Sequence, residues 1–290
     1  MNTLKSLFLR EIAFFKASPA IAWHLLFFYI PVLLIFILSF LDKSTQSFGI
    51  TTTHYEYFLN PLFLWIIVRS LTLAFFTALI CLFFAYPLAY CLAVKIQRYK
   101  NFFLFFLLLP FWTSLMVQVY AWFFVLEHNG LLNTLLLKFH LIRTPLHLLN
   151  TPFAVYTVMA YCYLPFMILP LYTVLEKINP NMFEAAADLG ATQWQTFWQV
   201  TIPLSMSGIK TGFFLVFVPS FGEFVVPMLL GGGKKMYVGS LITQYFLFAR
   251  NPYHGAAFTV ISSIALVSAV GVIYLYFKRK VLILLPRKGV

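Results

Sequence analysis

Six apolar segments of about 20 residues or more constrain the fold of this chain most strongly. The hydrocarbon core of a bilayer is about 30 Å thick, and a helix needs about 20 apolar residues to cross it. The segments are Ile21–Leu41, about Leu71–Val94, Phe102–Leu126, about Pro152–Leu175, about Ile209–Leu230 and about Ala256–Phe277. Only 10% of the residues are charged, whereas soluble domains carry about 25%. The sequence therefore predicts an all-α membrane protein with six transmembrane helices and argues against an ordinary soluble enzyme.

The net charge of +12 follows a membrane topology. Thirteen of the 20 Lys and Arg residues lie in the two terminal segments and the alternate loops between them, and seven lie in the other loops. Because positive residues concentrate in cytoplasmic loops, we expect both termini in the cytoplasm. The charge thus indicates orientation and not nucleic-acid binding. Within residues 1–20, apolar residues at helical spacing predict an interfacial helix or an extension of the first span.

Patterns typical of catalysis or metal binding are missing from the sequence. The cysteines lie inside apolar segments and the histidines of the outer loops are scattered, so neither a disulfide nor a metal site is expected. An ATP-binding P-loop reads G-x-x-x-x-G-K-[ST]. The run Gly231–Lys235 has Met228 in place of the first glycine and Lys235 in place of Ser or Thr. We therefore expect no cofactor on this chain, no enzymatic activity, and an outer turn at these glycines.

Residues 176–208, between the fourth and fifth apolar segments, are more patterned than a plain connecting loop. Asn179 and Pro180 suit the start of a helix, and Ala185–Ala187 favour its interior. Gly190 suits a left-handed cap at the end of this helix, where other residues meet a steric penalty. The first part of the loop is therefore predicted to be a short helix that ends at Gly190.

A second short helix is predicted directly after this turn, because Thr192 and Gln195 have the spacing of a capping box. The helix would expose Trp194, Phe197 and Trp198 on the water side of the membrane. One interpretation is an amphipathic helix lying on the lipid headgroups. The other is a helix–turn–helix projection that docks into a groove of a cytoplasmic protein.

The same loop resembles the EAA motif of importer-type ABC transporter permeases. The resemblance rests on Glu184-Ala185-Ala186, Gly190 four residues later, and Val200, Ile202 and Pro203. In that family the motif forms coupling helices that fit a cleft on the ATPase subunit, so we refer to residues 176–208 as the EAA loop. The resemblance implies that the ATPase-coupling residues are Glu184, Ala185, Ala186, Asp188, Gly190, Trp194 and Pro203.

Other stretches are most similar to the spermidine/putrescine branch of this family. They are Phe111-Trp112-Thr113, Leu164–Met167, Gly222–Pro227 and Leu229–Gly232. This resemblance implies a single permease domain over residues 1–290 with the type I importer fold, located in a bacterial inner membrane. It also implies a second permease subunit, usually related but different, a periplasmic binding protein, and two ATPase subunits that bind ATP and Mg²⁺.

Glu223 is the one acidic residue that we place inside an apolar segment, and an ionisable residue at membrane depth is functional by default. One hypothesis is direct contact with a polycationic substrate. Another is that Glu223 accepts hydrogen bonds from backbone freed by Pro219 and Gly222, or forms a gate at the subunit seam. A Gly-Glu-Phe triplet also resembles anion permeases, so it does not identify a cation. Aromatic candidates for the pathway are Trp112, Tyr120, Tyr161 and Tyr163.

Two alternatives to a polyamine permease stay open at this point. A permease of the same family for thiamine, ferric iron, sulfate or molybdate has the same overall pattern. A secondary transporter driven by an ion gradient would show internal repeats and several intramembrane ionisable groups. The sequence has no clear repeat and places only Glu223 at that depth, which favours the ABC permease.

Overall fold

The computed structural model describes residues 18–42, 49–96 and 98–284. The predicted interfacial helix of residues 1–20 lies outside the described residues, apart from its last three positions. The helices in chain order are α1 (Ser18–Leu38), α2 (Thr53–Phe58), α3 (Pro61–Lys95), α4 (Lys100–Trp112), α5 (Leu115–Leu126), α6 (Leu131–Lys138), α7 (Pro152–Leu175), α8 (Asn181–Asp188), α9 (Gln193–Phe221), α10 (Val225–Leu230), α11 (Val238–Phe248) and α12 (Pro252–Leu284). Two short strands, β1 (Leu41–Asp42) and β2 (Gly49–Ile50), pair antiparallel.

Six membrane spans are consistent with the described helices, as predicted. Helices α1, α3, α7 and α9 are each long and apolar enough to cross a membrane, as is residues Pro252–Arg279 of α12. The sixth span is a broken one, in which α4 and the helical segment that follows it meet at 95°. The fourth predicted segment, Pro152–Leu175, coincides with α7, whose first turn is capped by the Thr151 hydroxyl accepting from the Ala154 N–H.

The ends of three predicted spans were wrong. The second span begins at Pro61 and not near Leu71, because the helix continues through Arg69. The third is interrupted at Thr113 and Ser114, where both residues adopt extended backbone. The fifth begins as a helix at Gln193 and stops at Phe221, and a separate helix α10 follows. Charge and hydropathy mark the membrane depth of a helix and not the point at which it ends.

The chain forms two compact units, residues 18–63 with 242–263 and residues 64–241 with 264–284 among those described. The first unit has an aromatic core in which the fully buried Phe58 contacts the rings of Phe63, Phe258 and Tyr245 at centroid distances of 4.8, 5.0 and 5.6 Å. Offset and edge-on contacts of this kind stabilise beyond the area that they bury. The predicted single domain over residues 1–290 stays a prediction.

The second unit is built around the packing of α7 against α9. Gly208 and Gly212 make this close approach possible, because a Cβ at Gly208 would lie 2.9 Å from the Pro170 carbonyl oxygen. A Cβ at Gly212 would lie 2.7 Å from Met167 Sδ. Small residues at helix interfaces are typical of membrane proteins, where close van der Waals packing replaces the hydrophobic effect. The hydroxyl groups of Tyr86 and Ser205, 2.8 Å apart, add a hydrogen bond between α3 and α9.

Candidate functional site

The EAA loop folds as a helix, a left-handed turn and a second helix. The Asn179 side chain accepts a hydrogen bond from the Asn181 N–H at 3.1 Å, at the start of α8. At its end, Gly190 has a φ of 80°. The Ala191 N–H donates to the Ala186 carbonyl and the Gly190 N–H to the Ala187 carbonyl, which is the hydrogen-bond pattern of a Schellman cap. The predicted helix stop at Gly190 is confirmed.

The second helix of the EAA loop starts with the predicted capping box. The Thr192 hydroxyl accepts from the Gln195 N–H, and the Gln195 side chain accepts from the Thr192 N–H at 2.8 Å. This helix was predicted to be short, but it passes through Pro203 and continues as α9 to Phe221. Proline is tolerated there because it lies in the first turn of the α-helical stretch that follows a π-helical turn, Phe197–Thr201. The second helix of the EAA loop is thus continuous with the fifth span.

Leu189, Trp194 and Trp198 are the most exposed large apolar side chains of the EAA loop. Trp194 is 69% exposed, Trp198 is also exposed, and Leu189, at the tip beside Gly190, is 89% exposed. The prediction of exposure was wrong for Phe197, which is partly buried with its ring 5.5 Å from that of Tyr86. Sequence reasoning missed Leu189, although its place between a helix and a left-handed glycine was a usable signal. An apolar tip of this kind favours a surface that is covered by a partner.

The other predicted coupling residues lie on the same loop. Glu184, Ala185 and Asp188 are exposed on α8, whereas Ala186 is buried and faces the rest of the loop. Pro203 is partly buried in α9. A cavity of about 620 Å³ lies between α8, the start of α9 and the end of α3. The structure therefore brings the predicted residues together on one element, and their contact with an ATPase stays a prediction.

An ion pair joins the ends of α4 and α7 next to the EAA loop. Lys100 Nζ donates to Glu176 Oε1 at 2.7 Å. The Lys100 ammonium, with a further hydrogen bond from Tyr172, holds the pKa of the Glu176 carboxyl below its usual range. Both side chains are largely exposed, so the pair contributes little to stability. It marks the end of α7 from which the EAA loop departs.

The break between α4 and α5 is held by one glutamine. Gln118 Nε2 donates to the carbonyl oxygens of Pro110 and Thr113 and to Thr113 Oγ1, the last at 2.9 Å. The Pro110 carbonyl also accepts from the Thr113 N–H and hydroxyl, whereas Gln118 supplies a donor to the Thr113 carbonyl at the break. An unsatisfied carbonyl inside a membrane is costly. A cavity of about 280 Å³ opens at this break, and its lining includes Gln118 and Tyr163 together with the rings of Phe111 and Phe166.

Replacing Gln118 by leucine should loosen this break. The substitution keeps the approximate volume and removes the Gln118 donor of the Thr113 carbonyl, whereas the Pro110 carbonyl keeps the Thr113 N–H and hydroxyl as donors. We expect a loss of about 1–3 kcal/mol in the free energy of unfolding. The measurement is thermal unfolding of the purified chain in detergent. Thr113→Val removes the hydroxyl that accepts from Gln118 and donates to the Pro110 carbonyl, but it keeps the Gln118 bonds to both carbonyl oxygens and should cost less. Equal stability of Gln118→Leu and the unsubstituted protein would show that Gln118 does not hold the bend.

Glu223 lies at the second break, between α9 and α10, and is 8% exposed. Its Oε2 accepts from the Tyr163 hydroxyl at 2.8 Å. Its Oε1 accepts from the N–H groups of Phe224 and Val225 at 3.1 and 3.0 Å. The carboxylate therefore accepts from the backbone at the start of α10, and not from backbone freed by Pro219 and Gly222, which was the predicted alternative. The role of Glu223 in transport stays a prediction. Tyr163 connects the carboxylate to the 280 Å³ cavity.

The remaining aromatic candidates lie apart from this pair. Trp112 is 73% exposed and packs edge-on against Phe105. Tyr120 and Tyr161 are also exposed, with the Tyr161 ring 5.4 Å from that of Trp122. Of the predicted pathway residues, the structure thus joins only Glu223 and Tyr163, and it adds Gln118, Phe111 and Phe166 around the cavity. Gln118 was detectable as an amide inside an apolar segment.

The comparison with protein families covers most of the chain. A family model described as binding-protein-dependent transport system inner membrane component matches residues 84–283. The spermidine/putrescine transport system permease protein PotB of Haemophilus influenzae is 38% identical over 85% of this chain and 88% of its own length. PotB of Escherichia coli is also 38% identical, over 89% of this chain and 94% of its own length.

A solved structure supports the fold independently. A bacterial ABC transporter involved in the import of the acidic polysaccharide alginate superposes with a TM-score of 0.75, covering 96% of this chain and 99% of that chain. Its sequence identity of 19% shows the fold alone. The broken spans and the EAA loop are thus set in the fold of an importer permease. The chain belongs to the binding-protein-dependent inner membrane components, the permeases of ABC transporters, and is a multi-pass protein of the inner membrane.

Proposed function

We propose that this chain is one of two permease subunits in an importer of spermidine or putrescine. The observation that carries the proposal is the 38% identity to spermidine/putrescine permeases over 85–89% of the chain. Neither family membership nor the fold selects a polyamine, since the alginate transporter shares the fold. The second permease subunit, related but different, would form the other wall of the pathway, and a periplasmic binding protein would deliver the polyamine to the outer loops.

Energy would come from two ATPase subunits that bind the EAA loop. The exposed Leu189, Trp194 and Trp198 form an apolar surface on a loop whose second helix is continuous with the fifth span. Such a surface suits a helix-in-groove contact. ATP and Mg²⁺ would be bound and hydrolysed on the partner, and this chain would carry no catalytic group. In this arrangement both termini and the EAA loop face the cytoplasm, in agreement with the distribution of Lys and Arg.

The polyamine pathway would pass the 280 Å³ cavity at the break between α4 and α5. Its lining offers the faces of Phe111, Tyr163 and Phe166, and cation–π contacts contribute about 0.5–2 kcal/mol each. Glu223 lies behind Tyr163 and would act on a passing ammonium through the Tyr163 hydroxyl. Trp112, Tyr120 and Tyr161 are exposed on this chain and would reach the substrate only along the wall shared with the second permease subunit.

Uptake of radiolabelled spermidine and putrescine by cells that carry the complete transporter tests this function. We expect saturable uptake that is lost when this chain or the ATPase is deleted, because the chain supplies half of a pathway and no energy. Thiamine, ferric iron, sulfate and molybdate serve as competitors and should not inhibit. Uptake of one of these solutes, with no polyamine uptake, would identify another substrate in the same family. Uptake that survives loss of the ATPase would instead favour a secondary transporter.

A further inference from the structure

A groove of about 470 Å³ lies between α9 and α12. It begins at the last residues of the EAA loop, and neither the exposed Leu189, Trp194 and Trp198 nor Glu223 lines it. Its lining includes Pro203, Ser207, Lys210, Thr211, Phe214 and Tyr274. Most of these side chains are apolar or carry a neutral hydroxyl group, and the one formal charge is the ammonium of Lys210. The groove is therefore an amphipathic surface with a single positive charge between two membrane helices.

Lys210 lies within the helix α9 that we assign to the fifth span, and it is only partly exposed. In the described part of the chain, no carboxylate lies within ion-pair distance of its ammonium. A charged group that is partly withdrawn from water and has no counter-charge is costly, and lysines in membrane helices normally pair or extend toward the interface. Lys210 is therefore suited to pair with an anion that the described residues do not provide.

The position along α12 places the groove near a membrane surface. Tyr274 lines the groove, and Lys278 and Arg279 follow one turn later on the same helix, about 6 Å further along its axis. Tyrosine and basic residues at the end of a span are typical of the level of the lipid headgroups. Lys278 and Arg279 thus add positive charge on α12 near the end of the groove that we assign to the level of the lipid headgroups.

We propose that this groove binds an anionic phospholipid, with its phosphate paired to Lys210 and an acyl chain along Phe214 and Leu204. The Tyr274 and Ser207 hydroxyl groups can donate to the phosphate oxygens, whereas the Thr211 hydroxyl donates to the Ser207 carbonyl at 3.0 Å. Basic grooves between transmembrane helices on the cytoplasmic side suit anionic headgroups. The charge sign excludes a polyamine from this groove, so the inference is independent of the proposed substrate.

The test uses the purified full-length chain in detergent and native mass spectrometry with phosphatidylglycerol. Phosphatidylcholine with the same acyl chains is the zwitterionic comparison. We expect Lys210→Gln to weaken phosphatidylglycerol binding about fivefold, the factor that corresponds to about 1 kcal/mol for one lysine near an anionic surface. Lys210→Arg should bind within about twofold of the unsubstituted chain, because the charge is kept. Lys177→Gln changes an exposed lysine of the EAA loop outside the groove and should have no effect.

Three results would overturn the proposal. They are unchanged phosphatidylglycerol binding by Lys210→Gln, equal binding of phosphatidylcholine by the unsubstituted chain, and displacement of the lipid by millimolar inorganic phosphate, which would show a site for a free anion. Thermal unfolding of each variant reports whether it is folded. If Lys210→Gln fails to fold, lipid binding by Tyr274→Phe and Lys210→Arg still tests the proposal. Weaker retention in Tyr274→Phe with normal retention in Lys210→Arg supports the site, and loss of the lipid by Lys210→Arg contradicts it.

Discussion

Replacing Glu223 by alanine is expected to abolish uptake and to lower the free energy of unfolding by about 2–4 kcal/mol. The substitution removes the acceptor of the Tyr163 hydroxyl and of the Phe224 and Val225 N–H groups in a buried place. Each buried donor left without a partner costs about 1–3 kcal/mol. Relaxation of the structure around the small alanine side chain recovers part of this lost free energy. The measurements are thermal unfolding of the purified chain and polyamine uptake by cells carrying the complete transporter.

Glu223→Gln is the matched control, because it removes the charge and can keep all three contacts. The glutamine oxygen can accept from both N–H groups, and its amide can donate to the Tyr163 hydroxyl oxygen. The protein should therefore stay close to its original stability. If the charge acts on the polyamine through Tyr163, the KM for uptake should rise by about fivefold, as expected for about 1 kcal/mol of charge interaction. Normal uptake by Glu223→Gln would contradict both a substrate-contact role and a gate role and would leave Glu223 as a support for α10.

Replacing Gly190 by valine should uncouple the transporter without preventing membrane insertion. Gly190 has a φ of 80°, and an added Cβ would meet nothing within 4 Å, so the penalty comes from the backbone and not from a clash. A left-handed conformation costs an ordinary residue about 1–2 kcal/mol. That free energy corresponds to a factor of about 5–30 in the population of a correctly formed turn. We expect a comparable loss of uptake and of substrate-stimulated ATP hydrolysis.

Gly233 offers a matched control, because it also has a left-handed backbone conformation but lies outside the EAA loop. It has a φ of 66°, an added Cβ would also meet nothing within 4 Å, and it lies in the turn after α10. Gly233→Val should carry a similar strain and leave ATPase coupling intact. Gly190→Asn should lose less activity than Gly190→Val, because asparagine tolerates the left-handed region. Normal coupling in Gly190→Val, or equal uncoupling in Gly233→Val, would contradict a specific role of the EAA turn.

Local sequence signals predicted the elements whose causes are local. The Schellman cap at Gly190 and the Thr192–Gln195 box involve hydrogen bonds between residues at most five positions apart. They depend on neighbours that the sequence displays. Both ends of α7 were predicted from the bounds of its apolar segment. The sequence also predicted that the EAA residues lie together on one loop.

Other features depend on contacts between distant residues. Phe197 is partly buried because Tyr86, in a helix more than 100 positions earlier in the chain, packs against it. Gln118 holds a helix break whose 95° angle has no counterpart in hydropathy, since both halves are apolar. The groove beside Lys210 exists only because α9 and α12 meet at Tyr274. The pattern of residues within one segment does not predict these contacts between distant segments.

The sequence by itself determined that this chain spans a membrane and which apolar segments form its spans, and its longest patterned loop resembled the EAA motif. These properties follow from the hydrophobicity of segments and from hydrogen bonds between near neighbours. Only the tertiary structure decided what Glu223 contacts. The apolar residues around Glu223 in the sequence indicate that its carboxylate lies at membrane depth. The role of the carboxylate depends on which hydrogen-bond donors the fold places around it. Here these are the Tyr163 hydroxyl and two N–H groups at a helix start, since a buried carboxylate must be hydrogen-bonded.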